Sequence, residues 1–234
     1  MKILAVETSA VAAGAALLED GKIISESYLN TGLNHSATMM QLVDSALNNA
    51  GQTLSNVDAL AVAAGPGSFT GIRIGVSAIK GLAFTNNTPC FAVSTLEALA
   101  YCVNLEGFLI CPVMDARCNQ VYTALFEKKG DILYRIYDDK PLKLDELYDR
   151  LLQYPERKIM FIGDGTDLAY RYFSSKKLDI CKFSEIFKYQ HASGVAFAAY
   201  NMYNKGIEPV SAEKLLPVYL RLSQAEREYN KRRS

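Results

Sequence analysis

The residues of this chain that could do chemistry sit at the ends of apolar runs. Glu7-Thr8-Ser9 closes "KILAVE", a carboxylate and two hydroxyls of the kind that position a hydrated cation. Asp115 closes "FLICPVMDA", with Arg117 two residues on, and Gly163 and Gly165 punctuate "GDGTD". "GPGSFTGIRIG" (65–75) looks like a phosphate-binding loop, but its glycines are 65, 67 and 71. A Walker loop needs two glycines five apart followed by Lys and Ser or Thr. No pair here has that spacing, and Ile72-Arg73 follows Gly71. A structural role suffices for the turn: Gly65-Pro66-Gly67 leads out of a buried strand and Ser68 caps the next helix. The chain has only two histidines, His35 and His191. His35 precedes Ser36, but adjacent residues do not face each other, so a Ser-His nucleophile is not framed. Both histidines are read as helix-terminus residues, His35 at an interface and His191 on the surface.

The elements that must hold these residues come in one order, used twice. "KILAVE", "GAALLE" and "KIISESYL" are strand-like, and Asp20-Gly21 between the last two is a hairpin signal. A helix over "HSATMMQLVDSALNNAG", a buried strand "VDALAVAAG", a helix from Ser68, the strand "PCFAVS" and the helix "TLEALAYCV" follow. From Gly107, the strands "FLICPVMDA", "NQVYTALFE" and "DILYRIYDD" precede "LDELYDRLL" (helix), "KIMFIGDG" (strand), "DLAYRYFSS" (helix), "LDIC" (strand) and a last helix from His191. This predicts an α/β protein of two βββαβαβα halves, residues 1–104 and 105–234, with the last helix and tail returning toward the first half. That order describes the actin-like ATPase and sugar kinase (ASKHA, RNase H-like) fold, with a mixed five-stranded sheet in each half and a cleft between. The fold alone does not give the function.

Composition narrows the classes. Lys+Arg 25 against Asp+Glu 25 leaves no global positive field for nucleic acid. Five scattered cysteines without a CxxC pair argue for a reducing compartment, and no stretch reads as a signal peptide or membrane span. A cytoplasmic protein is expected.

The second helix is apolar over about twice the usual width. Ile72, Val76, Ile79 and Ala83 form one stripe; Gly71, Gly75, Ala78 and Leu82 form another, with Ile74 beyond and Arg73 on the polar side. The first helix is broad too, with Met39 and Val43 toward the sheet and Met40, Leu42 and Leu47 on its flanks. The two helices packing on each other accounts for part of this. The rest suggests a protein–protein face of about 800 Å² per partner.

"ILAVETS", "AGPGSFTGIRIG", "STLEALA", "MDARCNQVY" and "LLPVYLR" resemble the TsaB family, over most of the chain. That family, once called glycoprotease-like, serves tRNA threonylcarbamoyladenosine biosynthesis. The resemblance implies a non-catalytic paralogue of the enzyme TsaD, which moves a threonylcarbamoyl group onto the adenosine beside the anticodon of tRNAs reading codons that begin with A. It implies partners: a TsaD-like paralogue, a TsaE-like ATPase, a homodimer in isolation, and tRNA only through the complex. It places the dimer face on the two helices described above. The interface residues are then His35, Met39, Met40, Val43, Leu47, Gly71, Arg73, Ile74, Gly75, Ala78 and Leu82. On this reading a Gly75→Arg chain stays folded and loses its partner.

TsaD-like paralogues hold a metal with an NHxxxH-type motif, whose histidines would fall on Thr95 and Leu99 here. Neither side chain replaces an imidazole, so no metal site is expected. In the wider fold an Asp before Thr or Ser positions Mg²⁺; Glu7 reaches one methylene further. Glu7, Thr8, Ser9, Asp115, Gly163 and Gly165 are therefore read as a vestigial nucleotide site, with ATP and Mg²⁺ bound weakly or at the partner boundary and little hydrolysis. An Asp115–Arg117 contact that merely holds the turn is the alternative. The tail "RLSQAEREYNKRRS" could add tRNA phosphate contacts, testable by replacing Lys231, Arg232 and Arg233 with Ser. A small-molecule kinase would need a cleft Asp and a base, and a peptidase a triad or metal motif; neither set is evident.

Overall fold

The computed structural model describes residues 1–130 and 132–221. The basic-tail expectation at Lys231, Arg232 and Arg233 lies outside the described residues.

Two five-stranded sheets repeat one topology. The first, β3-β2-β1-β4-β5, comprises β1 (Lys2–Glu7), β2 (Ala13–Glu19), β3 (Lys22–Leu29), β4 (Ala59–Gly65) and β5 (Cys90–Ser94). The second, β10-β9-β6-β7-β8, comprises β6 (Phe108–Asp115), β7 (Gln120–Lys129), β8 (Ile132–Lys143), β9 (Lys158–Ile162) and β10 (Ile180–Lys182). In each sheet the first three strands are antiparallel and the last two parallel. The parallel strands need crossovers, supplied by α1 (His35–Asn49) and α2 (Phe69–Phe84) in the first half. In the second half they are α4 (Leu144–Leu151) and α5 (Thr166–Phe173). Glu19 pairs with Lys22 across Asp20 and Gly21, both at positive φ, as a tight hairpin turn requires. β7 and β8 run further than the sequence suggests. Pro141 continues β8 at the sheet edge, where a missing N–H is tolerated.

Both faces of both sheets are covered, which is why the inner strands read as continuous apolar runs. Leu4 and Val6 face α1 and α2; Ile3 and Ala5 face Val195, Ala196 and Ala199 of α6 (Ala192–Asn204). α3 (Thr95–Tyr101) turns Leu96, Leu99 and Ala100 onto Ile110, Met114 and Phe126 of the second sheet. α4 and α5 cover its other face with Leu147, Leu151, Ala169 and Phe173. The helix ending the first half thus packs on the second sheet, and the helix ending the second packs on the first. They meet at Gly194, where an added Cβ would stand 2.3 Å from Ala98 O. An ionic cluster adds a second tie: Arg135 of β8 pairs with Glu97 of α3 at 2.6 Å, and Ser94 Oγ donates to Asp139 at 2.5 Å.

Candidate functional site

Two features meet where the strand ends open between the lobes: a cleft, and the outer face of α1 and α2. The cleft has a volume of about 470 Å³ and is lined by Ser9, Ser68, Thr70, Asp115, Arg117, Asp164 and Arg221 among others.

Glu7 and Thr8 do not line it. Glu7 is fully buried; its Oε1 accepts the Ser9 N–H and its Oε2 has no hydrogen-bond partner. Burial pushes its pKa up to about 7, against the lowering effect of the Ser9 hydrogen bonds. Thr8 turns inward too, its hydroxyl donating to Gly71 O at 2.8 Å. The glycine turn is pressed onto this corner: Ser68 N donates to Ser9 O at 2.7 Å, and a Cβ on Gly67 would meet that oxygen at 2.4 Å. Ser68 caps α2 as the sequence suggests, its Oγ accepting from Gly71 N at 3.3 Å. The second half repeats the arrangement. Gly165 N donates to Val113 O at 3.0 Å, and a Cβ on Gly163, at φ +113, would stand 2.2 Å from the same oxygen.

A phosphate-binding loop works by offering free backbone N–H groups. Here the amides of Ser9, Ser68 and Gly165 are spent within the chain, and the strand-end carboxylate faces protein rather than the cleft. Glu7 and these three amides are thus committed to holding their own corners rather than turned toward the cleft. Of the six positions read as a vestigial nucleotide site, the structure brings Ser9 and Asp115 to the cleft. Glu7 and Thr8 support the corner, and Gly163 and Gly165 pack the β9–α5 turn against β6. Asp115 holds its own turn: Arg117 N donates to its Oδ1 at 2.7 Å, and Arg117, Cys118 and Asn119 all take positive φ. Sequence reasoning missed Asp164, whose pKa rises to about 6 mainly through burial, and Arg221, which donates to Ala116 O across the cleft. The segment leading to Arg221 is a strap. Val218 N donates to Ala64 O at 2.7 Å, and Tyr219 stacks on Phe69 with centroids 4.3 Å apart.

The buried carboxylate makes stability depend on pH. Glu7 titrates near 7 when folded and at about 4.5 when unfolded, so between these values the folded chain holds the extra proton. Stability from this group is therefore full below about pH 4.5, falls as pH rises and levels off above 7, a loss of about 3 kcal/mol. A Glu7→Gln chain should show a flatter profile than the parent between pH 5 and 8 in urea unfolding. Parallel profiles would contradict the assignment.

The helix face differs from its expected outline. Met39, Val43 and Leu47 are buried in the chain's own core. Gly71 and Gly75 are buried against Thr8: a Cβ on Gly71 would lie 2.0 Å from Thr8 O, and one on Gly75 2.5 Å from Thr8 Oγ1. Val43, Leu47, Gly71 and Gly75 are internal, which corrects their reading as interface, and Met39 is 1% exposed although it lines the groove described next; a Gly75→Arg chain would fail to fold rather than report on association. His35 Nε2 donates to Ala10 O at 2.8 Å, tying the start of α1 to the loop after β1. Another correction concerns His191: it is mostly buried, stacked on Tyr28 at 4.5 Å and 3.4 Å from Glu26. The surface that remains is a groove of about 520 Å³ between α1 and α2, lined by Ser36, Met39, Met40, Thr70, Arg73, Ile74, Ser77 and Ala78. Further along α2, Leu82 is half-buried and Phe84 is 82% exposed. Arg73 sits at the junction with the strap, donating to Tyr219 OH at 2.8 Å.

Thr95 and Leu99 are buried in the core. Among the described residues no group of three or more His, Cys, Asp or Glu is placed to hold a metal ion, and no helix is long and apolar enough to cross a membrane.

Two mixed sheets of identical order, with exchanged helices and a cleft between them, define an actin-like fold. Component A of (R)-2-hydroxyglutaryl-CoA dehydratase from Acidaminococcus fermentans shares it at a TM-score of 0.50 and 11% identity, over 89% of this chain and all of that one. YeaZ from Pseudomonas aeruginosa is far more similar, with a TM-score of 0.75 and 27% identity over 94% of this chain and 99% of that one. The profile of the family described as "TsaD: tRNA N6-adenosine threonylcarbamoyltransferase" matches residues 24–229. The tRNA threonylcarbamoyladenosine biosynthesis protein TsaB of Bacillus subtilis is 35% identical over 97% of this chain and 96% of its own length. The chain belongs to the TsaB family. A tRNA N6-adenosine threonylcarbamoyltransferase of Methylorubrum populi, 33% identical, matches over only 56% of this chain and 43% of its own length.

Proposed function

We propose that this protein acts in tRNA threonylcarbamoyladenosine biosynthesis as a non-catalytic subunit. It docks a TsaD-like transferase through the α1–α2 face and works with a TsaE-like ATPase, meeting tRNA through the assembly. The observation that carries this reading is the end-to-end match to TsaB, against a match to less than half of the Methylorubrum transferase. The chemistry of the chain supports it. Hydrocarbon and hydroxyl stand where the paralogues place imidazoles, and the strand-end carboxylate is sealed inside. A metallopeptidase reading has no cluster of three or more His, Cys, Asp or Glu to work with among the described residues. The face is also where a second copy of the chain would pair in isolation.

Reconstitution tests the proposal. A TsaD-like subunit and a TsaE-like ATPase, given ATP, an activated threonylcarbamoyl donor and substrate tRNA, should modify the tRNA only when this chain is added. The chain alone should turn over neither ATP nor sugars. Modification at the same rate without it, or robust ATP turnover by it alone, would overturn the reading.

A further inference from the structure

A second cavity lies at the other end of β1 from the cleft. The turn at Asp20-Gly21 sits beside Lys2, where β1 starts, whereas Ser9 follows its end. Here the C-terminal parts of α3 and α6 and the strand β7 enclose about 590 Å³, within the range of small-molecule sites. Phe197, Tyr200, Asn201 and Asn204 line it from α6. Their spacing puts all four on one helical face. Tyr101 adds a third ring and Lys128 a cation.

Each group has a physical setting that suits a ligand. Tyr200 is braced: a Cβ on Gly21 would stand 3.1 Å from its ring, so the glycine lets the hairpin turn back the aromatic plane. Tyr101 contributes ring surface rather than its hydroxyl, which is closed off from solvent and has no hydrogen-bond partner. Lys128 Nζ is steadied by Asn104 Oδ1 at 2.5 Å, which uses one of its three donors.

We infer that this cavity binds an unstacked nucleobase with its attached phosphate: the rings of Tyr200 and Phe197 take the base, the amides of Asn201 and Asn204 its edge, and Lys128 the phosphate. Aromatic side chains stack on any base, and an amide offers donor and acceptor together, as a base edge does. Every lining residue of the site comes from this chain. Its ligand chemistry has two sources, a free nucleotide or a single-stranded stretch of RNA.

Calorimetric titration of the full chain with AMP, adenosine and a single-stranded oligoadenylate tests it. AMP should bind saturably, and adenosine several-fold more weakly. Tyr200→Ala and Asn204→Ala should each lower AMP affinity about tenfold; Asn204 is exposed, so its replacement leaves the fold intact. Lys128→Gln should bring AMP down to the adenosine level. Arg117→Ala, in the interlobe cleft, should change nothing. Oligoadenylate binding that AMP competes away assigns the site to RNA; AMP binding without oligoadenylate binding assigns it to free nucleotide. Two results would overturn the inference: no saturable binding of any of the three probes, or AMP binding that Arg117→Ala removes while Tyr200→Ala and Asn204→Ala leave it intact.

Discussion

A Gly71→Ala chain should lose more than about 3 kcal/mol of stability, enough to unfold much of a typical domain at physiological temperature. The added Cβ would lie 2.0 Å from Thr8 O and 3.2 Å from Thr8 C, so it strikes backbone and no rotamer change relieves it. Neither backbone can retreat easily. Thr8 follows β1, the central strand of the first sheet, and its hydroxyl already holds Gly71 O at 2.8 Å. Moving α2 away would open Ile72, Val76 and Ile79, all buried against that sheet. Gly81 supplies the control. It lies on the same helix and a Cβ there meets nothing within 4 Å, so Gly81→Ala should stabilise by up to about 1 kcal/mol through backbone entropy alone. Urea unfolding of the two chains side by side decides the matter. A Gly71→Ala chain within about 1 kcal/mol of the parent would mean that the close approach of α2 to Thr8 is wrong.

The second large effect concerns association. Ala78 is half-buried on the rim of the α1–α2 groove, four residues from Ile74 and beside Met40. Ala78 touches the first core on one side and lines the groove on the other, and the groove gives an arginine room to extend, so Ala78→Arg should still fold. It would fill the space a partner helix needs and bury an unpaired guanidinium. The loss of affinity for a TsaD-like subunit should be about 30-fold or more, in the range of central interface positions. Ile74→Ala, which only removes contact area, should weaken binding less. Co-purification and sedimentation read both, and the folded state is checked by thermal unfolding. Unchanged affinity in a folded Ala78→Arg chain would move the docking surface elsewhere.

The fold was legible in the sequence because its cues are local. The alternation of strand and helix periods, the Asp20-Gly21 turn and the Ser68 cap each act within a few residues. Stacking βββαβαβα twice then leaves few topologies. The second-half strands were harder to bound: β8 carries polar, exposed residues through Pro141 as an edge strand, and an edge strand needs no apolar run. The site was legible only in part. Small residues at Gly71 and Gly75 look the same in sequence whether a partner helix or the chain's own Thr8 approaches them. Only the fold shows that Thr8, more than sixty positions away, fills that space. Glu7 posed the same problem, since a strand-end carboxylate looks available until its burial is seen. Asp164 lay inside the quoted "GDGTD" but was passed over for its glycines. Arg221 reaches the cleft through a strap with no periodicity to announce it.

The central claim is that the outer face of α1 and α2 receives the TsaD-like subunit. Hydrogen exchange of this chain, alone and mixed with that subunit, measures it directly at peptide resolution. Exchange should slow only in peptides covering residues 35–41 and 70–85 and in the adjoining strap at 216–221. Binding that leaves these peptides unchanged and protects a different surface would contradict it.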